Sequence, residues 1–270
     1  MTGMLIKFIR SCLIHPYVRG IDIDSSEAAV LRLRIIKEKV FLNKLYKEFY
    51  RMILQALPDD YPEPFLEIGS GGGFLKDYLP KLITSEILKI PSVDAVLDAS
   101  HIPFKENTLG GIVMVNVFHH ISHADSFFRQ ASFCIRERGV IVMIEPWITS
   151  WSEIIYRHLH HEPFDKNIEE WNLPEGGPLS HANSALPWIV FERDRAIFEE
   201  KFPDWQIKKI SLHTPFCYLL SGGVSMRSFM PGFLFPSCRK LEKIMQHRIR
   251  SWAMFALILL ERKHGKNIGI

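Results

Sequence analysis

Between residues 25 and 57 the apolar side chains Val30, Leu31, Ile35, Val40, Phe41, Leu45, Phe49, Ile53, Leu54 and Leu57 recur at helical spacing. Ser25 or Ser26 stands where an N-cap belongs, so the spacing predicts one long amphipathic helix, closed by Pro58 and the proline-rich run up to Pro64. The period then changes. Short, nearly all-apolar runs at Phe65–Ile68, Ile83–Ile87, Ala95–Leu97, Gly111–Val117 and Val140–Glu145 read as strands, with helices expected at Phe74–Leu82 and Asp125–Cys134. Buried strands alternating with helices imply a parallel sheet covered on both faces. Beyond Pro146 the pattern dissolves into a stretch rich in Trp, His, Pro and Gly, with helical pieces at Ser152–His160 and Arg193–Lys201. Two late strands, Ile207–Leu212 and Met254–Leu260, flank a helix near Arg239–Arg250. The expected organisation is an N-terminal helical extension (1–60), the first half of an α/β core (61–146), a cap insertion (147–206) and a C-terminal part of the core sheet (207–264).

The stretch Phe65-Leu66-Glu67-Ile68-Gly69-Ser70-Gly71-Gly72-Gly73-Phe74-Leu75 places a glycine-rich turn directly after the first strand. Glycine accepts positive φ and lets the backbone approach a ligand closely, so the loop points to a nucleotide or nucleoside. Glu67, just before it, would repel a pyrophosphate and suits a ligand that carries an ammonium group. A flexible linker would not be flanked by such apolar segments. Further on, Glu86 follows Glu67 by nineteen residues, Asp98-Ala99 precedes Ile102-Pro103-Phe104, and Asn116-Val117-Phe118-His119-His120-Ile121 leaves the fourth strand. A carboxylate suits two ribose hydroxyls, and Asp98 can accept from an adenine amino group.

In this order and spacing the set resembles the class I S-adenosylmethionine-dependent methyltransferases: E-x-G-x-G-x-G from Glu67 to Gly73, an acid at the end of strand two, and a D-A-x-x-I-P-F stretch. The resemblance runs from Phe65 to about Pro146, with 207–260 supplying the last part of the sheet. It implies a three-layer, Rossmann-like, seven-stranded and mostly parallel sheet with an antiparallel last strand. It also implies S-adenosylmethionine as cofactor, contacted by Glu67, Gly69, Ser70, Gly71 and Gly73 in the loop, and by Glu86, Asp98, Ala99 and Asn116 further on. One position departs: Gly111 stands where many relatives carry an aspartate at the entry to strand four. A nicotinamide oxidoreductase is the weaker reading of the same loop, since no tyrosine here has a lysine four residues later. A non-catalytic protein retaining the fold is the other alternative.

Methyl transfer to a hydroxyl gains from a general base, and His119 or His120, after strand four, could serve or could simply line the pocket. Glu145 could bind an acceptor hydroxyl or satisfy backbone donors. On a continued helix, His158, His161 and Glu162 would share one face; His161 and Glu162 are read as acceptor-site candidates, and no metal is expected there. Trp147, Trp151, Trp171, Trp188 and Phe191 could stack on an acceptor or form the cap's own core. Arg193, Arg195 and Arg227 could meet an anionic substrate. The expected acceptor is a small molecule or saccharide, with oxygen as the methylated atom.

A formal charge of +3 argues against nucleic acid. The four cysteines, Cys12, Cys134, Cys217 and Cys238, lack any CxxC pairing and fit a reducing cytoplasm. The apolar run Trp252–Leu260 is too short for a membrane span. The first ten residues read as a short amphipathic helix, with membrane-surface contact as the alternative.

Overall fold

The structure is a computed structural model describing residues 13–58, 63–160, 162–173, 176–177 and 179–264. The N-terminal amphipathic segment, Cys12 and His161 lie outside the described residues. Among the described residues, seven strands form one sheet: β1 (Phe65–Glu67), β2 (Ile83–Glu86), β3 (Ala95–Val96), β4 (Leu109–Val115), β5 (Ile135–Pro146), β6 (Trp205–His213) and β7 (Phe255–Arg262). Their spatial order is β3-β2-β1-β4-β5-β7-β6. Strands β1 to β5 pair in parallel, while β7 runs antiparallel to both β5 and β6. The expected fold, a mostly parallel sheet with an antiparallel last strand, is therefore the observed one.

Alternation along β4 separates two cores. Ile112 and Met114 join Phe127 and Phe128 of α3 (Ala124–Cys134), whereas Val113 joins Phe49 and Ile53 of the N-terminal helices. The 147–206 segment contributes to both sides. Ile155 and Tyr156 of α4 (Ser150–His158) pack on the N-terminal-helix face, while Trp171, Ile189, Phe191 and Phe198 pack with α3. A further helix, α5 (Arg195–Lys201), precedes β6, and α6 (Phe235–Ile244) precedes β7.

Several boundaries depart from the sequence expectation. The long N-terminal helix is two helices, α1 (Ser26–Glu38) and α2 (Val40–Ala56), broken at an extended Lys39. Lys39 is buried, and its Nζ donates to the carbonyls of Gly223 (2.5 Å) and Met226 (2.8 Å), so a tertiary anchor overrides helical continuity. Phe74–Leu82 holds only a single 3-10 turn, Leu75–Asp77. Three glycines before it and Pro80 after it leave too few residues to nucleate an α-helix. Strand β4 ends at Val115 because Asn116 adopts φ +57°. The helix expected at Arg239–Arg250 is instead α6, a 3-10 turn at Met245–Arg248 and a short helix at Ile249–Trp252. At Gly111 a Cβ would lie 2.6 Å from the Phe65 ring and strike the Val140 carbonyl, so β4 has no room there for the aspartate.

Because the crossovers reverse direction between β1 and β4, the loops leaving these two strands diverge and open a crevice at their C-terminal ends. No helix among the described residues is long and apolar enough to cross a membrane.

Candidate active site

The crevice holds a cavity, and the glycine loop forms its floor. Gly69 has φ +69°, and a side chain there would strike Val117 from the opposite loop. Gly71 N donates to Glu86 Oε2 at 3.0 Å, and a Cβ on Gly71 would stand 2.6 Å from that oxygen. Glu86 Oε1 accepts from Ile87 N at 2.9 Å, so both oxygens are fixed at the mouth of the loop. Burial raises the Glu86 pKa, against the pull of these two backbone donors.

Glu67 is buried, and no cation pairs with it among the described residues. Desolvation pushes its carboxyl up to about 7; the Ser70 hydroxyl works against this and the Glu86 charge adds to it. Asp98 and Ala99 line the cavity as well. Asp98 Oδ1 accepts from Ser100 N (2.7 Å) and Ser100 Oγ (2.8 Å), which fixes the carboxylate plane. Asn116 lines the cavity too, and its Nδ2 is buried without a hydrogen-bond partner. A lone buried carboxylate and an unused amide donor facing one cavity fit a zwitterionic amino-acid ligand, whose ammonium and carboxylate would answer both. The residues present therefore fit S-adenosylmethionine.

Ser70 differs from the expectation. Its N donates to Ser85 O (2.8 Å), and its Oγ accepts from Ser85 N (3.2 Å). It pins the loop to β2 and does not line the cavity.

His119, His120 and Glu162 also line the cavity. Glu145 Oε1 accepts from the amides of Val117 and Phe118, both at 2.8 Å, and Oε2 accepts from His119 Nδ1 at 2.6 Å. Glu145 thus organises the 3-10 turn Phe118–His120 and is shut away from any acceptor, being fully buried. His119 Nε2 lies 3.2 Å from Glu162 Oε2. Burial works to lower the His119 pKa, but Glu145 and Glu162 together hold it up at about 10. His120 Nδ1 donates to the His181 carbonyl at 2.9 Å, and its Nε2 lies 3.6 Å from Glu162 Oε1. Glu162 is held well below the usual carboxylate range: burial opposes this, but His160, His119 and His120 surround it.

The helical face expected to align His158, His161 and Glu162 does not form, because α4 ends at His158. Glu162 reaches the cavity from the loop beyond it. The aromatic residues of 147–206 pack inward: Trp147, Trp171 and Phe191 are buried in the α3-side core, Trp188 packs against that core, and Trp151 lies against Trp252. Arg193 is held by Asp194 and the Lys166 carbonyl, Arg195 pairs with Glu199, and neither these nor Arg227 lines the cavity. The N-terminal helices instead contribute Arg32, Tyr46 and Tyr50, which the sequence reading did not single out. Tyr46 and Tyr50, four residues apart on a buried stripe, were the available signal: apolar bodies with polar tips.

The strand order, the crevice and the loops that line it define the fold of the class I methyltransferases. No family model matches the sequence, and no curated protein matches it by sequence. Among solved structures, the chain is similar to the protein described as a methyltransferase in a Haloferax volcanii complex with the Trm112 methyltransferase activator. That likeness has a TM-score of 0.54 at 10% identity, over 90% of this chain and 98% of that one. It is also similar to geranyl diphosphate C-methyltransferase from Streptomyces coelicolor (TM-score 0.49, 12% identity, 84% of this chain and 82% of that one). A protein described as a methyltransferase from Bacillus halodurans matches with a TM-score of 0.47 at 12% identity, over 80% of this chain and 99% of that one. At 10% identity the first of these likenesses speaks to the fold alone.

Proposed function

We propose that this protein is an S-adenosylmethionine-dependent methyltransferase acting on a hydroxyl of a small molecule or saccharide. The observation that carries the reading is a cavity lined by two chemically different sets of side chains: Glu67, Glu86, Asp98 and Asn116 with the glycine loop, and the cluster His119, His120 and Glu162. Bound at the loop end, the cofactor supplies an electrophilic methyl group that an acceptor oxygen takes by in-line displacement, leaving S-adenosylhomocysteine.

The chain's own residues hold the two reactants in line and exclude water, which is where most of the acceleration of such a displacement arises. Glu86 receives ribose hydroxyls, Asp98 the adenine amino group, and Glu67 with Asn116 the amino-acid end. The acceptor hydroxyl lies against the histidine end and loses its proton there. Both nitrogens of His119 are engaged by carboxylates, so His119 positions Glu162 and is not the proton acceptor. His120 Nε2 is the group left to receive the proton, since Glu162 is held ionised by the histidines around it.

Calorimetry with S-adenosylmethionine and S-adenosylhomocysteine tests the cofactor half. Both should bind, and Asp98→Ala should weaken both by about tenfold or more, the cost of one charged hydrogen bond. Methyl transfer from labelled cofactor across hydroxylated acceptors tests the other half. No binding by the wild-type protein sinks the reading; binding without transfer to any acceptor favours a regulatory protein on the same fold.

A further inference from the structure

We infer that His119, His120 and Glu162 form a binding site for one divalent transition-metal ion at the acceptor end of the cavity. Among the described residues they are the one group of three whose ligand atoms converge, all within 4.8 Å of one another. Both rings are held from behind. Nδ1 of His119 donates to the Glu145 carboxylate at 2.6 Å, and Nδ1 of His120 donates to the His181 carbonyl at 2.9 Å. Each ring is therefore fixed in orientation through its far nitrogen, and each Nε2 is turned toward Glu162. A carboxylate or carbonyl behind the ring, with the opposite nitrogen facing a shared point, is the outer-shell arrangement that metal-ligating histidines use.

Glu162 turns one oxygen to each ring. Nε2 of His119 lies 3.2 Å from Glu162 Oε2, and Nε2 of His120 lies 3.6 Å from Oε1. Ligands bonded to one tetrahedral ion at about 2.0–2.2 Å stand roughly 3.3–3.5 Å apart. The second separation is long for a hydrogen bond and ordinary for two ligands of one ion. Two imidazoles and one carboxylate favour zinc or iron-type ions over magnesium or calcium, which prefer all-oxygen sets. Three protein ligands leave positions open, and the cavity is where they open.

The ion's role rests on the proposed methyl transfer, although the site itself does not. An acceptor hydroxyl bound to the ion ionises more readily, its proton leaving to solvent, so the metal replaces His120 as the means of activating the oxygen.

The test uses untagged full-length protein stripped with chelator and titrated with Zn²⁺, Co²⁺, Mn²⁺ and Mg²⁺, with S-adenosylhomocysteine binding measured alongside. About one Zn²⁺ or Co²⁺ per chain should bind, at least a hundredfold more tightly than Mg²⁺. His120→Ala and Glu162→Gln should each weaken Zn²⁺ by at least a hundredfold, and Glu145→Gln by about ten- to a hundredfold, as expected for an outer-shell partner. X-ray absorption of the wild-type zinc form should show two imidazoles, a result that needs no variant to fold. Failure to bind stoichiometric zinc, unchanged affinity in folded His120→Ala and Glu162→Gln, or a spectrum without imidazole overturns the site. Loss of S-adenosylhomocysteine binding by the wild type, with zinc still bound, would instead count against the methyltransferase reading alone.

Discussion

At the scale of single residues, Glu67 is the side chain whose chemistry the fold alters most usefully. Its folded pKa, about 7, lies above the ordinary carboxyl value of 4.5, chiefly through burial. The ligand-free protein therefore carries a penalty that is absent below pH 4.5, grows through the window from 4.5 to 7, and is complete above it. Glu67→Gln should accordingly stabilise the ligand-free protein at pH 8 by on the order of 2–3 kcal/mol, with little effect at pH 4. Ligand binding should show the opposite face of the same linkage. If the ionised form meets the ligand ammonium, affinity for S-adenosylhomocysteine should rise about tenfold between pH 6 and pH 8, as the ionised fraction does. The rise should vanish in Glu67→Gln. Urea unfolding and calorimetry at the two pH values read both effects, and a wild-type affinity flat across pH 6–8 would detach Glu67 from the ammonium. The place of Glu67 at the end of β1, beside the glycine loop, was legible in the sequence, because an apolar run leads straight into the turn. Glu145 was not legible: that it holds two amides and an imidazole depends on β5 lying beside β4 in one particular register.

At the scale of elements, tertiary anchors decided what local pattern could not. The apolar stripe over 25–57 correctly marked helix but carried no sign of the break, since Lys39 reads as an ordinary surface lysine until its partners at Gly223 and Met226 are known. Strands were legible because their apolar runs are short and bounded by turn residues. The Phe74–Leu82 segment was misread because its apolar spacing reflects contacts to α2, through buried Leu75, Leu79 and Leu82, and not a helical face. One such contact can be tested. Tyr50 Oη of α2 accepts from Phe74 N at 3.1 Å and stands 2.8 Å from where a Gly73 Cβ would be, so α2 buttresses the glycine loop directly. Tyr50→Phe should leave the Phe74 amide unpaired and cost about 1–2 kcal/mol in urea unfolding. It should also weaken S-adenosylhomocysteine binding, because the loop loses its support. An unchanged midpoint would mean that the amide finds another acceptor.

Over the whole molecule, the cavity is enclosed by two segments far apart in sequence. Helix α1 contributes Ala29 and Arg32 to its lining, and the 147–206 region contributes Leu179. In the sequence these two segments fall in separate units, an N-terminal extension and a cap, and no local pattern shows that they meet. They do meet, at Asp24, just ahead of α1: its Oδ1 accepts from Leu179 N at 2.6 Å and from Ser180 N at 2.8 Å. Packing is close enough that a side chain at Gly177 would strike the same carboxylate. Although partial burial works to raise the Asp24 pKa, the Ser180 hydroxyl and the two amides lower it overall. The clasp is therefore intact above the ordinary aspartate pKa and weakens as pH falls below it. Because Asp24 touches neither end of the cavity's chemistry, its loss should act on access. A pair of charge-assisted hydrogen bonds contributes roughly 1.5–3 kcal/mol, and even the lower figure, spent on holding the two segments together, corresponds to about a tenfold change in rate. Asp24→Ala should therefore raise the dissociation rate of S-adenosylhomocysteine by about tenfold in stopped-flow measurements at pH 7.5. Asp24→Asn, whose amide oxygen can still accept from both amides, should recover part of that loss. Equal dissociation rates in wild type and Asp24→Ala would show that ligand leaves without parting α1 from the 179–180 segment.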